Sequence, residues 1–222
     1  MTLVQHSAPP GSGRAYAGQS AGERDAQRRE RLLAAAVELI GNQGYPATTI
    51  PGVCAAAKVS TRHFYRLYST KEDLFVDVYD RLTGESYTRV TASLRKSTDR
   101  PIRERIPSAL LAYLGPMLED ARVARIAFVE VMGASARIER VRLDYRETLV
   151  TLVEREVRAA VERAEIADRD WRFATLALVG AATAIVYDWM LRTGGDGVEH
   201  IEAALAELAV QLLTADTTRG GT

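Results

Sequence analysis

Apolar positions along this chain recur three and four residues apart, and no run of β-branched residues alternates with polar ones. The pattern predicts an all-α fold. Leu32, Leu33, Ala36, Val37, Leu39 and Ile40 share one face of a first helix. Gly41 and Gly44, around Asn42-Gln43, are placed to end it, because glycine tolerates a left-handed backbone. Thr49 before Ile50-Pro51 is an N-cap with a proline in the first turn, the start of a second helix over residues 50–57. Val53, Cys54 and three alanines make that helix small, apolar and fit for close packing. Ser60 caps a third helix carrying Thr61, Arg62, His63, Phe64, Tyr65 and Arg66. Thr70 and Asp73 have capping-box spacing, which starts a fourth helix at Lys71 and carries it to about Ser93. After a break over residues 96–101, helices are expected over about 102–118, 120–132, 138–164, 168–192 and from the Gly194-Gly195-Asp196-Gly197 turn to about Leu213, nine in all. Pro107 and Gly115-Pro116 mark kinks or ends in the fifth.

Composition narrows the class. A chain of 222 residues, 47% hydrophobic, buries a core in one or two domains. Residues 1–22, which include GSGRAYAGQSAG, lack an apolar period and read as a disordered arm; residues 215–222 read as a disordered tail. No apolar core of a signal peptide follows Met1. The single cysteine, Cys54, excludes an internal disulfide, reads as packed core rather than redox sensor, and points to a reducing cytoplasm. The uncharged apolar run Phe173 to Tyr187 is short for a membrane span, so no membrane association is expected. Metal-ligand spacing, a phosphate loop and a nucleophile elbow are all missing, and His6, His63 and His200 fall in separate segments. Neither an enzyme active site nor a metal or cofactor is expected.

The chemistry that stands out is at the N-terminal end. Two short helices joined by a few residues, the second opening with polar and basic side chains, have the layout that brings a recognition helix into a DNA major groove. From Arg24 to Lys71 eight basic residues stand against three acidic ones, a net charge of +5 in a chain that is neutral overall, so the rest carries −5. A basic head on an acidic body turns the body away from a polyanion. Within this segment Arg62 has the planar fork that matches guanine O6 and N7, with His63 beside it; a solvated surface position is the competing reading of both. Thr49, Ser60, Thr61 and Arg66 are candidates for phosphate contact. Lys71 sits at a helix N-terminus, where the dipole disfavours a cation and a phosphate would explain it. Phe64 reads as core.

Gly44-Tyr45, Thr48-Thr49-Ile50, Val53, Ala57, Val59-Ser60, Phe64-Tyr65 and Lys71-Glu72-Asp73-Leu74 together resemble the TetR-type transcriptional regulators, over roughly Arg28 to Val78. The resemblance implies a homodimer of helical subunits, a helix-turn-helix domain (residues 23–70) on a double-stranded DNA operator, and a helical domain (residues 71–214) that dimerises and binds a small-molecule effector whose arrival usually releases the DNA. It also puts the Tyr65 hydroxyl near phosphate. Three positions depart from the pattern: Lys58 stands where the turn usually has glycine, Arg62 where a small residue is usual, and Tyr68 where phenylalanine is usual. Lys58, if left-handed, costs about 1 kcal/mol and has a charge to offer a phosphate; Tyr68 joins the candidates for the DNA face.

In the body, the last two helices are the candidates for dimerisation: Leu176, Val179, Gly180, Thr183 and Val186-Tyr187 on one, and Ile201, Leu205, Leu208 and Leu212 at seam spacing on the other. A two-fold pair of reading heads implies a pseudo-palindromic operator. Candidates for an effector pocket are the large or adaptable Tyr113, Met117, Phe128, Met132, Tyr145 and Trp189, with Glu130 and Asp188 as polar contacts. The competing readings are plain core for the apolar residues, a solvated face for Glu130 and an ion pair with Arg192 for Asp188. The function expected is a ligand-responsive repressor; a DNA-binding regulator or architectural protein without an effector is the alternative.

Overall fold

The computed structural model describes residues 21–214, so the expected tail and all but the last two residues of the expected arm lie outside the described residues. Nine α-helices and one π turn follow one another without a strand among these residues. They are α1 (Ala21–Gln43), α2 (Ile50–Ala57), α3 (Thr61–Leu67), α4 (Lys71–Lys96), α5 (Ile102–Leu118), α6 (Ala121–Arg125), the π turn (Ile126–Glu130), α7 (Ala136–Glu162), α8 (Arg172–Thr193) and α9 (Val198–Thr214).

Local signals set the head. Thr49 caps α2 by accepting from the Gly52 N–H at 3.2 Å, and Ser60 caps α3. Thr70 and Asp73 form the expected capping box: the Thr70 hydroxyl accepts from the Asp73 N–H at 3.0 Å, and the Asp73 carboxylate from the Thr70 N–H at 2.9 Å. Lys58 is left-handed, with φ 52° and ψ 44°, so the turn between α2 and α3 has the geometry that glycine serves more cheaply. Leu32, Leu33, Ala36 and Ile40 of α1 bury against Val53, Cys54 and Phe64. That core continues past residue 70, through Leu74, Phe75 and Val78 of α4 to Ile126, Val131 and Ile138 of the body.

Several helices depart from the expected pattern. Gly41 lies inside α1, which ends only at Gly44 (φ +89°). A β-carbon on Gly41 would come within 2.4 Å of Arg122 Cβ, so this glycine lets α1 and α6 touch. The helix expected over 120–132 is broken, since the Val131 N–H reaches back five residues to the Ile126 carbonyl at 3.2 Å. α5 passes through both Pro107 and Pro116 to Leu118, and α8 starts at Arg172, where the Asp170 carboxylate accepts the Arg172 N–H.

By length and composition α8 is apolar enough to cross a membrane, with a mean hydropathy of 1.5 over an 18-residue window of which 33% is buried. Here it packs against α6, the π turn, α7 and α9. Its uncovered face carries Phe173, Gly180, Ala184 and Leu191 at seam spacing, all exposed, Phe173 by 82%, with the exposed Asp188–Arg192 pair near its C-terminal end. On α9 Leu205 of the expected seam is fully buried in its own subunit beside Ala209 and Leu213, while Ile201, Leu208 and Leu212 are half-buried.

Candidate DNA interface and internal cavity

α3 presents its polar side outward. Thr61, Arg62, Tyr65 and Arg66 are exposed, Tyr65 by 56%, while Phe64 is fully buried on the opposite side and holds the helix to the head. His63 is half-buried, and its Nδ1 lies 2.7 Å from the Ser60 hydroxyl, which fixes its ring over the first turn. Arg66 pairs with Asp25 of α1 at 3.0 Å. Arg62 and Lys58 extend into solvent without an ion pair among the described residues. Thr49 is exposed next to the N-terminus of α2.

Two expected interface residues have different surroundings. Tyr68 is buried, and its hydroxyl donates to Asp77, which also accepts from Arg29. Burial first, and then this hydrogen bond, push its phenol pKa well above the ordinary value. Tyr68 is therefore a core residue that ties α3 to α4, and its aromatic ring beside Phe64 explains why the position is aromatic. Lys71 turns back into the head: its ammonium donates to the Tyr45 and Thr48 carbonyls, each at 2.8 Å, and stands 4.2 Å from the Tyr45 ring centre. Burial lowers its pKa. The conflict with the helix dipole is answered inside the protein, leaving one ammonium proton unassigned.

Glu130 belongs to the same junction and not to a pocket. It is the last residue of the π turn. Its carboxylate accepts the Tyr45 N–H at 2.7 Å, across 85 residues of sequence, and the Arg125 guanidinium at 2.8 Å. Arg125 also donates to the Asn42 carbonyl at 3.1 Å. The turn between α1 and α2 is thus held from the body side by Glu130 and from α4 by Lys71. A second clasp joins the start of α4 to the start of α7: Ser135 and Arg137 meet Glu72, and Arg137 meets Asp73. The Arg137 hydrogen bond holds the Asp73 carboxyl below its usual range.

A cavity of about 1000 Å3, its solvent-open part included, lies between α4, α5, the π turn, α7 and α8. Tyr113, Met117, Phe128, Met132 and Tyr145 line it. Trp189 does not: it is buried between α8 and the following turn, its indole N–H donating to the Asp196 carbonyl at 2.7 Å. Asp188 is exposed and pairs with Arg192. The pattern had not pointed to Tyr79 and Arg142, which also line the cavity. On α7 the lining residues run from Arg142 through Tyr145, Leu149 and Leu152 to Glu156, a stripe spanning fifteen residues and about 21 Å from end to end. Nearly all the wall is aliphatic or aromatic.

Comparison with known proteins agrees with this architecture. Residues 32–78 match the family described as bacterial regulatory proteins, tetR family, and residues 99–213 match the tetracyclin repressor-like C-terminal domain. The chain belongs to the TetR family of bacterial transcriptional regulators and is a DNA-binding regulator of transcription. It is similar to the HTH-type transcriptional activator FasR of Mycolicibacterium smegmatis (strain ATCC 700084 / mc(2)155), 30% identical over 102 residues. That match covers 46% of this chain and 46% of FasR. Among solved structures the fold is similar to the fatty acid degradation regulator FadR from Bacillus halodurans, with a TM-score of 0.75, 16% identity and coverage of 86% of this chain and 96% of that one. It is also similar to FadR from Bacillus subtilis in complex with stearoyl-CoA, with a TM-score of 0.69, 15% identity and coverage of 82% and 97%. At these identities the likeness shows the fold.

Proposed function

We propose that this chain is a homodimeric, ligand-responsive repressor that leaves a pseudo-palindromic operator when an elongated, largely apolar small molecule enters the cavity. The observation that carries the proposal is the double duty of the π turn. Phe128 from this turn lines the cavity, and Glu130 from the same turn holds the Tyr45 N–H at the entrance to the helix-turn-helix. A ligand that moves Phe128 moves Glu130, and α4 shares the displacement through the Lys71 contacts. The two heads then change separation and lose the operator spacing. A ligand favouring the released state by a few kcal/mol is enough to shift the population.

In this reading residues 23–70 are the reading head and residues 71–214 the effector and dimerisation body. Arg62 and His63 read base edges; Thr49, Lys58, Ser60, Thr61, Tyr65, Arg66 and the free proton of Lys71 hold phosphates. Dimerisation uses the last two helices, with the exposed α8 seam at its centre. The apolar wall suits an aliphatic ligand, and the stearoyl-CoA bound by Bacillus subtilis FadR is of that kind. Such a regulator works in the cytoplasm, apart from the membrane, and catalyses no reaction. A second reading, activation, is favoured by the likeness to FasR, a transcriptional activator.

The test is fluorescence-anisotropy binding of the purified protein to its own upstream DNA, against shuffled DNA, with and without added aliphatic ligand. Selective binding that ligand abolishes supports the repressor. Selective binding that ligand strengthens favours activation. Selective binding indifferent to every ligand, or equal binding to shuffled DNA, contradicts ligand-responsive regulation.

A further inference from the structure

The cavity wall is apolar, but its polar groups are not scattered. At one end of the α7 stripe stand Arg142 and Tyr145, facing Tyr79 of α4 and Tyr113 of α5; at the other end stands Glu156. Tyr145 is already engaged, by the Thr83 hydroxyl and the Asp80 carboxylate, and its ring meets the Tyr79 ring edge-on at 5.8 Å. The Tyr79 and Tyr113 hydroxyls have no hydrogen-bond partner among the described residues. Tyr113 lies deep in the bundle yet keeps accessible surface, and that surface faces the cavity. Neither hydroxyl is among the sealed, unpartnered polar atoms of the described residues, so each is open to an acceptor that enters the cavity.

Charges of both signs stand near this end: Arg142 and Arg146 line the cavity, while the Glu139 and Asp80 carboxylates lie close to Tyr79 without lining it. Burial pushes the Tyr79 phenol up to about 12 and raises Tyr113 as well, so both stay protonated at neutral pH. Arg142 gives Nε and Nη2 to Glu139 at 3.0 and 2.5 Å and keeps Nη1. Arg146 lines the same end, exposed and without an ion pair among the described residues, near the exposed Met132. The carboxylate of the wall, Glu156, is about 21 Å away along α7 and already beside Arg105, at 3.8 Å.

We propose that Tyr79 and Tyr113 form the head-group subsite of the cavity, and that it takes the carbonyl or carboxylate oxygen of a ligand whose aliphatic chain runs along α7 toward Leu94, Ile106 and Val153. The proposal rests on the ligand-responsive reading above and gives that ligand a chemical class: an acyl compound held by two phenol donors, oriented head toward the π turn. Among the lining residues the carboxylate is Glu156, so an alkylamine is expected at that opposite end.

The test is calorimetric titration of the full-length protein with hexadecanoate, methyl hexadecanoate and hexadecylamine, repeated on Tyr79→Phe and Tyr113→Phe, with anisotropy on upstream DNA in parallel. The Phe variants keep the rings, so thermal melting should match the parent. Each is expected to weaken hexadecanoate about tenfold, as for a lost hydrogen bond to a charged acceptor, and to leave hexadecylamine unchanged. A response of hexadecanoate alone assigns the subsite to a free carboxylate; an equal response of the methyl ester assigns it to an acyl carbonyl. The carboxyl resonance of [1-13C]hexadecanoate should shift on binding and lose that shift in the variants. Hexadecanoate that binds and alters DNA affinity equally in parent and variants overturns the subsite and spares the ligand-responsive reading. Failure of all three probes to bind overturns both.

Discussion

The head and the cavity solve their polar problems in opposite ways. In the head nearly every donor and acceptor has a near neighbour as partner: Thr49 with Gly52, Ser60 with His63, and Thr70 with Asp73. Among the side chains left over, Arg62 and Lys58 are exposed cations beside the recognition helix. In the cavity the walls come from five segments far apart in sequence, polar groups are few, and the Tyr79 and Tyr113 hydroxyls have no hydrogen-bond partner among the described residues. A head built from local hydrogen bonds keeps its shape when it is displaced as a unit. A cavity built from distant helices has little to hold its width except what fills it. Between them lies a junction where the apolar core runs on through α4 to Ile126, Val131 and Ile138, with Gly41, Glu130 and Lys71 at its edge, and changes there are expected to alter both stability and coupling.

The largest expected effect is on the exposed side of α3. Replacing Arg62 and His63 together by alanine should weaken upstream-DNA binding about a hundredfold, ~3 kcal/mol for two base contacts, with an unchanged melting temperature. Equal losses on upstream and shuffled DNA would show that these side chains hold phosphates and do not read bases. Next comes the junction. Glu130→Ala strands the Tyr45 N–H and frees Arg125, a loss of about 2 kcal/mol that thermal melting would read as a fall of roughly 4–8 °C. An unchanged melting temperature would remove Glu130 from the account.

Gly41→Ala should cost about 1–2 kcal/mol, because strain against Arg122 outweighs the ~1 kcal/mol that alanine gains in helix propensity. Chemical denaturation measures the difference, and a stabilised variant would show that α1 and α6 separate freely. The smallest effect tests the head itself. Lys58→Gly should raise stability by about 1 kcal/mol through relief of its left-handed backbone, and lower the salt slope of DNA binding by about one unit if Lys58 meets a phosphate.

The head was readable because its signals are short-range. A cap, a box, a proline or a glycine acts within four residues, and the second, third and fourth helices begin at Ile50, Thr61 and Lys71 as the caps dictate. Gly41 was misread because its reason lies in Arg122, on another helix. The π turn escaped because an apolar run such as Ile126 to Met132 looks the same in either helix type. In the cavity, side-chain size found Tyr113, Met117, Phe128, Met132 and Tyr145, but nothing in the sequence pointed to Tyr79 of α4. Glu130 drew notice as a charge in an apolar run, yet nothing local revealed that its partner is Tyr45. Asp188 had its explanation in view, since Arg192 is one turn away.

The central claim is that filling the cavity moves the heads. Pulsed electron-spin distance measurement on a dimer labelled at Ser69→Cys, an exposed position just after α3, in a Cys54→Ala background reads that motion directly. With hexadecanoate bound at saturation, verified by its heat of binding, the separation of the labels should change as the upstream DNA is released. DNA release with an unchanged distance would contradict the account.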